Sequence, residues 1–75
     1  MLVKVAYAIG QQQEELLVEV SSRANVAMAI RASGLLDQFQ QWRLPELVVG
    51  VFGRKVSLDT LLANGDRVEI YQPLQ

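Results

Sequence analysis

Residues Leu2 to Ile9 alternate along the chain. Val3, Val5, Tyr7 and Ile9 fall on one side, and Leu2, Lys4, Ala6 and Ala8 on the other. Valine, isoleucine and tyrosine suit a pleated, half-buried strand. The stretch GQQQE follows, with Gly10 free to take a positive φ. Alternation resumes in LLVEV, where Leu16, Val18 and Val20 oppose Leu17 and Glu19. Two alternating runs across a short loop containing glycine predict a β-hairpin.

The period then changes. Val26, Ala29, Ile30 and Ser33 recur at helical spacing, so a helix is predicted over Val26 to Ser33. Asn25 is the N-cap residue, able to accept an otherwise unpaired N–H of the first turn. Arg31 places a cation at the carbonyl end, and Gly34 suits a left-handed residue just past it. Such a short helix is unstable alone in water and must pack on the hairpin's apolar face. The next segment, LLDQFQQWRLPEL, predicts one further helical turn and then a loop, with Leu44 extended before Pro45. Phe39, Trp42 and Leu44 are expected to cover an edge of the core. Val48 to Phe52 is the third expected strand, Gly53-Arg54-Lys55 a turn, and Val56 to Leu58 a short fourth strand. Asp59 is expected to begin a 3₁₀ turn, and Asn64-Gly65 to form another turn. In the last strand, Arg67 to Tyr71, Val68 and Ile70 face one way and Arg67, Glu69 and Tyr71 the other.

One helix must therefore cover the apolar face of a mixed sheet. A crossover from the second strand to the third, with the last strand returning beside the first, gives an α+β architecture of the β-grasp type. The first and last strands would then lie parallel at the centre, with Lys4 and Glu69 on the same outer face. No internal repeat, low-complexity stretch or linker interrupts residues 1–75, which are expected to form one ubiquitin-like domain.

Composition narrows the chemistry. Half of the residues (51%) are hydrophobic, enough for a packed core at this length. Seven basic and eight acidic side chains leave a net charge of −1, which offers no long-range attraction to nucleic acid or an anionic membrane. The absence of cysteine excludes disulfides and thiolate metal sites, and the absence of histidine removes the usual proton shuttle. No metal and no cofactor is expected. MLVKVAYAIG lacks the pattern of a signal peptide, and no run approaches the length of a membrane helix, so a cytoplasmic location without membrane insertion is expected.

Several stretches together resemble the RnfH family of small bacterial proteins: VAYA in the first strand, AIRASGLL at the helix end, VGVFGRKV, and above all NGDRVEIYQPL. The likeness is weakest between Gln38 and Leu47. Two departures stand out: this sequence ends soon after QPL, where many members continue into a charged tail, and Asn25 stands where a threonine cap is typical. The resemblance implies a ubiquitin-like β-grasp fold related to the sulfur-carrier proteins. The family's name associates it with a membrane electron-transport complex, and some members are described as the antitoxin half of a toxin–antitoxin pair. Neither role brings catalytic residues to this chain.

Carriers and modifiers of this fold need a Gly-Gly terminus, because only an extended end without side chains threads into an adenylating site. Gln72-Pro73-Leu74-Gln75 does not supply one, and the last glycine is Gly65. A sulfur-carrier or modifier role is thus the disfavoured alternative. Glu14 and Glu15 would point to opposite faces, and Asp59, Asp66 and Glu69 lack a partner at metal-ligand spacing. Ser21, Ser22 and Thr60 have no evident base, so no enzymatic activity is expected. Arg54 and Lys55 form one local basic pair that could touch RNA or an acidic partner, although a solvated turn is the plainer reading. Trp42 and Phe39 are expected to pack rather than to stack on a ligand. What remains is surface. Leu17, Tyr71 and Ala6, with Val48 or Phe52, would form a moderately apolar outer sheet face rimmed by Lys4, Glu19, Arg67 and Glu69. Such a face suits a protein partner.

Overall fold

The computed structural model describes Met1 to Tyr71. Residues 72–75, on which the reading of the terminal carrier motif falls, lie outside the described residues. Five strands form one mixed sheet: β1 (Leu2–Ile9), β2 (Gln12–Glu19), β3 (Val48–Val51), β4 (Arg54–Val56) and β5 (Arg67–Tyr71). Their order is β2-β1-β5-β3-β4. β1 and β5 are parallel at the centre, and the other neighbours are antiparallel. This is the β-grasp arrangement expected from the pattern.

The helix α1 spans Val26–Ser33, as its periodicity predicts. The Asn25 side chain accepts the Met28 N–H at 2.9 Å, and Gly34 takes φ 81° at the far end. Two further amides of the first turn would be orphans in an isolated helix. Here Val26 N–H donates to the Thr60 carbonyl at 3.0 Å and Ala27 N–H to that of Leu58 at 2.9 Å. The chain between β4 and β5 therefore pins the start of α1. A second helical turn, α2 (Leu35–Gln38), follows directly.

The inner face of the sheet and one side of α1 enclose the core. Val3, Val5, Val26, Ala29, Ile30, Leu35 and Val68 are fully buried in it. Tyr7, Phe39 and Trp42 close one end. Phe39 and Trp42 stack with ring centres 4.5 Å apart, and Tyr7 meets both edge-on. Trp42 is buried, so this cluster is packing, as expected, and presents no open stacking surface.

The structure departs from the pattern in six places. β2 begins at Gln12, ahead of Glu14, Glu15 and the alternating LLVEV run, leaving a two-residue Gly10-Gln11 loop, because backbone pairing with β1 carries the polar run 12–15. Phe52 is not in β3. It shares a two-residue hairpin with Gly53, and both have positive φ (50° and 80°), the signature of a type I′ turn. Consequently Arg54 and Lys55 are not a turn; they are the first residues of β4, which ends at Val56 instead of starting there. Leu44 is not extended: it opens a one-turn 3₁₀ helix, Leu44–Glu46, after an extended Arg43. Proline is tolerated in that first turn because its missing N–H would have no partner there. Leu58 and Asp59 make a simple turn without 3₁₀ structure. Ile9, at the hairpin end of β1, is 37% exposed and does not reach the core.

Candidate functional site: the outer sheet face

Strand register fixes which side chains meet on the face away from α1. Successive residues of a strand point to opposite faces, so the set that does not enter the core forms a Leu2–Glu19 pair at one end and three further rows across the sheet. The first row runs Leu17, Lys4 and Arg67, and ends beside Phe52, whose N–H donates to the Arg67 carbonyl at 3.2 Å. The second row is Glu15, Ala6, Glu69, Gly50 and Lys55. The third is Gln13, Ala8, and the Tyr71 and Val48 pair.

The acids of the second row tie the rows together. Glu15 bridges Lys4 (3.8 Å) and Arg67, although it is 52 residues from Arg67 in sequence. The Arg67 Nε also donates to Glu69 Oε2 at 3.2 Å. Glu69 Oε1 accepts the Tyr71 hydroxyl and the Gly53 N–H, each at 2.8 Å. A chain of charged contacts thus runs from β2 to the β3–β4 turn, over the small residues Ala6 and Gly50. Chiefly because the Tyr71 hydroxyl donates to it, the Glu69 carboxyl is held below its ordinary 4.5, with Gly53 and Arg67 adding to the effect. The same bond pushes the Tyr71 hydroxyl above its ordinary 10.0. These groups are wet and paired, and no group of three acidic side chains converges as a metal site among the described residues.

The five candidate residues do not form one continuous patch. Leu17, 67% exposed, and Phe52, 62% exposed, flank the Lys4–Arg67 row. Tyr71 lies in the row at the opposite end of the sheet, and its ring lies over Gly50. A Cβ built on Gly50 would sit 2.3 Å from the Tyr71 hydroxyl. Tyr71 is therefore anchored, and only partly available. Arg54 and Lys55 are consecutive residues of β4 and point to opposite faces, so they do not act as one basic pair. From the sequence, Glu15 stands out only as a carboxylate beside Glu14, not as a partner of Arg67, and Gly50 does not stand out at all. The signal for both was two small outward-facing residues, Ala6 and Gly50, in central strands, which is where long side chains from neighbouring strands can lie flat.

A family profile described as "RnfH family Ubiquitin" matches residues 1–75. The chain belongs to the RnfH family. Its curated relatives include Protein RnfH of Halorhodospira halophila, 47% identical over 73 residues, which are 97% of this chain and 75% of the relative. Among solved structures, small archaeal modifier protein 1 of Haloferax volcanii superposes with a TM-score of 0.73 at 17% identity, covering 97% of this chain and 98% of that one. Subunit 1 or 2 in a protein–protein complex of the molybdopterin-converting factor from Helicobacter pylori superposes at 0.65, with 22% identity over 100% of this chain and 97% of its own. At these identities the structural likenesses establish the ubiquitin-like β-grasp fold of this RnfH-family chain. Among the described residues, no helix is long and apolar enough to cross a membrane.

Proposed function

We propose that this RnfH-family chain is a non-catalytic, cytoplasmic interaction module that binds a protein partner through its outer sheet face, in an antitoxin-like or accessory role. One observation carries the reading. Two large apolar side chains, Leu17 and Phe52, stand about two-thirds exposed at the two ends of a row whose cations are already fixed by Glu15 and Glu69. A partner gains apolar contact at both ends without having to order the polar groups between them, which lowers the entropic cost of association. Phe52 adds a second argument. A bulky residue at φ 50° is an outlier, and strain of this kind gathers at functional positions.

The test is affinity capture from the native lysate with an N-terminal tag on a linker, comparing the parent with Leu17→Ala/Phe52→Ala. The double variant should keep the parent circular dichroism spectrum and lose the co-purifying protein. Undiminished recovery of that protein by a folded double variant counts against the face. The carrier alternative is checked separately by intact-mass measurement after incubation with a bacterial adenylating enzyme and a sulfur source. An unchanged mass is expected, and a thiocarboxylate would replace this reading.

A further inference from the structure

The outer edge of β2 leaves its main chain open. β2 is an edge strand of eight residues whose register with β1 runs without a bulge from Leu2–Glu19 to Ile9–Gln12. Met1 and Val20 exchange both backbone bonds, at 2.7 and 2.8 Å. In an antiparallel ladder such a pair fixes the alternation that follows. Val18, Leu16, Glu14 and Gln12 turn their backbone groups toward β1, while Glu19, Leu17, Glu15 and Gln13 turn theirs away from the sheet. None of these four outward N–H groups has an acceptor among the described residues.

Proteins usually blunt such an edge with lysine, proline, a bulge or mere shortness. The opposite edge does so: β4 has three residues, one of them Lys55. β2 is long and has no lysine, proline or bulge, so negative charge is what guards it. It carries three glutamates and no cation, and of these Glu14 and Glu19 have no ionic partner among the described residues, whereas Glu15 is held by Lys4 and Arg67. Leu17 stands exposed midway along it.

We infer that β2 accepts an extended segment of a partner protein as an added strand, and that the segment alternates basic with apolar residues. Four donors and four acceptors spaced along the edge supply the pairing. Glu15, Leu17 and Glu19 share the outer face, and Leu16 and Val18 the helix side, so the segment's Lys or Arg side chains lie along Glu15 and Glu19 and its apolar side chains beside Leu16 and Val18. The inference extends the protein-binding reading but is separable from it: Phe52→Ala interrogates the sheet face and leaves this edge untouched.

The probe is a synthetic eight-residue peptide alternating lysine and valine, capped at both ends. Its alternate amides are N-methylated, so that one edge only can pair and the peptide cannot associate with itself. Amide exchange of the isotope-labelled protein is followed by NMR with and without it. At millimolar peptide, exchange at Gln13, Glu15, Leu17 and Glu19 should slow at least tenfold, while Gln12, Glu14, Leu16 and Val18, already bonded to β1, change little. The glutamate–valine counterpart should bind at least tenfold more weakly, and Glu19→Lys should weaken the lysine peptide. Unaltered exchange at the four amides, equal binding of the acidic peptide, or shifts centred on β4 would each overturn the inference.

Discussion

Gly50→Ala provides a sharp test of the outer face, because a single methyl group meets three atoms at once. The added Cβ would lie 2.3 Å from the Tyr71 hydroxyl, 2.8 Å from Tyr71 Cε2 and 2.8 Å from the Arg54 carbonyl oxygen. Comfortable carbon contacts begin near 3.5 Å. The ring can swing aside only by giving up its 2.8 Å bond to Glu69. The Arg54 oxygen belongs to the paired backbone of β4 and cannot swing at all. Overpacking of this kind destabilises by about 1–3 kcal/mol. Against it stands about 0.4–1 kcal/mol gained because alanine restricts the unfolded chain. A net loss of about 1–2 kcal/mol is expected, which for a domain of this size lowers the melting temperature by roughly 4–8 °C per kcal/mol. Urea unfolding followed by Trp42 fluorescence and by circular dichroism measures it. The partner variants make the argument specific. In a Tyr71→Phe background the nearest contact is gone and the penalty should shrink. In Tyr71→Ala only the Arg54 oxygen remains, and the penalty should shrink again. Equal stability of Gly50→Ala and the parent, or a penalty indifferent to residue 71, refutes the described packing.

Three further outcomes follow from the same contacts. The Glu69 carboxyl is held low chiefly by the Tyr71 hydroxyl, so its contribution to stability is complete above the ordinary 4.5 and fades as pH falls through the lower folded value; Tyr71→Phe should raise the carboxyl's pKa in a carbon-13 NMR titration and reduce the acid sensitivity of folding. At the other extreme, the Tyr71 hydroxyl is held above 10.0, so its contribution persists below that pH and is lost as pH rises through the folded value; ultraviolet titration should show one tyrosine ionising late, and Glu69→Gln should lower that midpoint. Asn25→Ala should cost about 1 kcal/mol in urea unfolding, by removing the acceptor for the Met28 N–H, whereas Asn25→Thr should recover most of it.

The parts of the fold legible in the sequence are those whose causes are local. Helix α1 matched from Val26 to Ser33 because the 3.6-residue period, the Asn25 cap and Gly34 all act within one segment. The inward set of β1, with Val3, Val5 and Tyr7, was legible for the same reason. The start of β2 was not. Gln12 to Glu15 carry no apolar side chain, and only pairing with β1 makes them a strand. Nor does Phe-Gly advertise a type I′ turn, which usually draws on asparagine or aspartate, so β4 was displaced by two residues. The site was the least legible part. Exposure of Leu17 follows from alternation, whereas that of Phe52 comes from its place in a turn that the expected strand Val48 to Phe52 left out. The contacts of Glu15 with Arg67 and of Tyr71 with Gly50 join distant strands, and only the order β2-β1-β5-β3-β4 brings them together.

The central place of β5 bears on how the protein is made. β5 is synthesised after the other four strands of the sheet, yet it is the piece that joins the β1–β2 hairpin to the β3–β4 hairpin. Until residues 67–71 clear the ribosomal tunnel, two hairpins and a marginal helix have no shared seam, and neither hairpin is stable by itself in water. Closure then comes in one late step, between segments more than sixty positions apart, and its pace is governed by that separation.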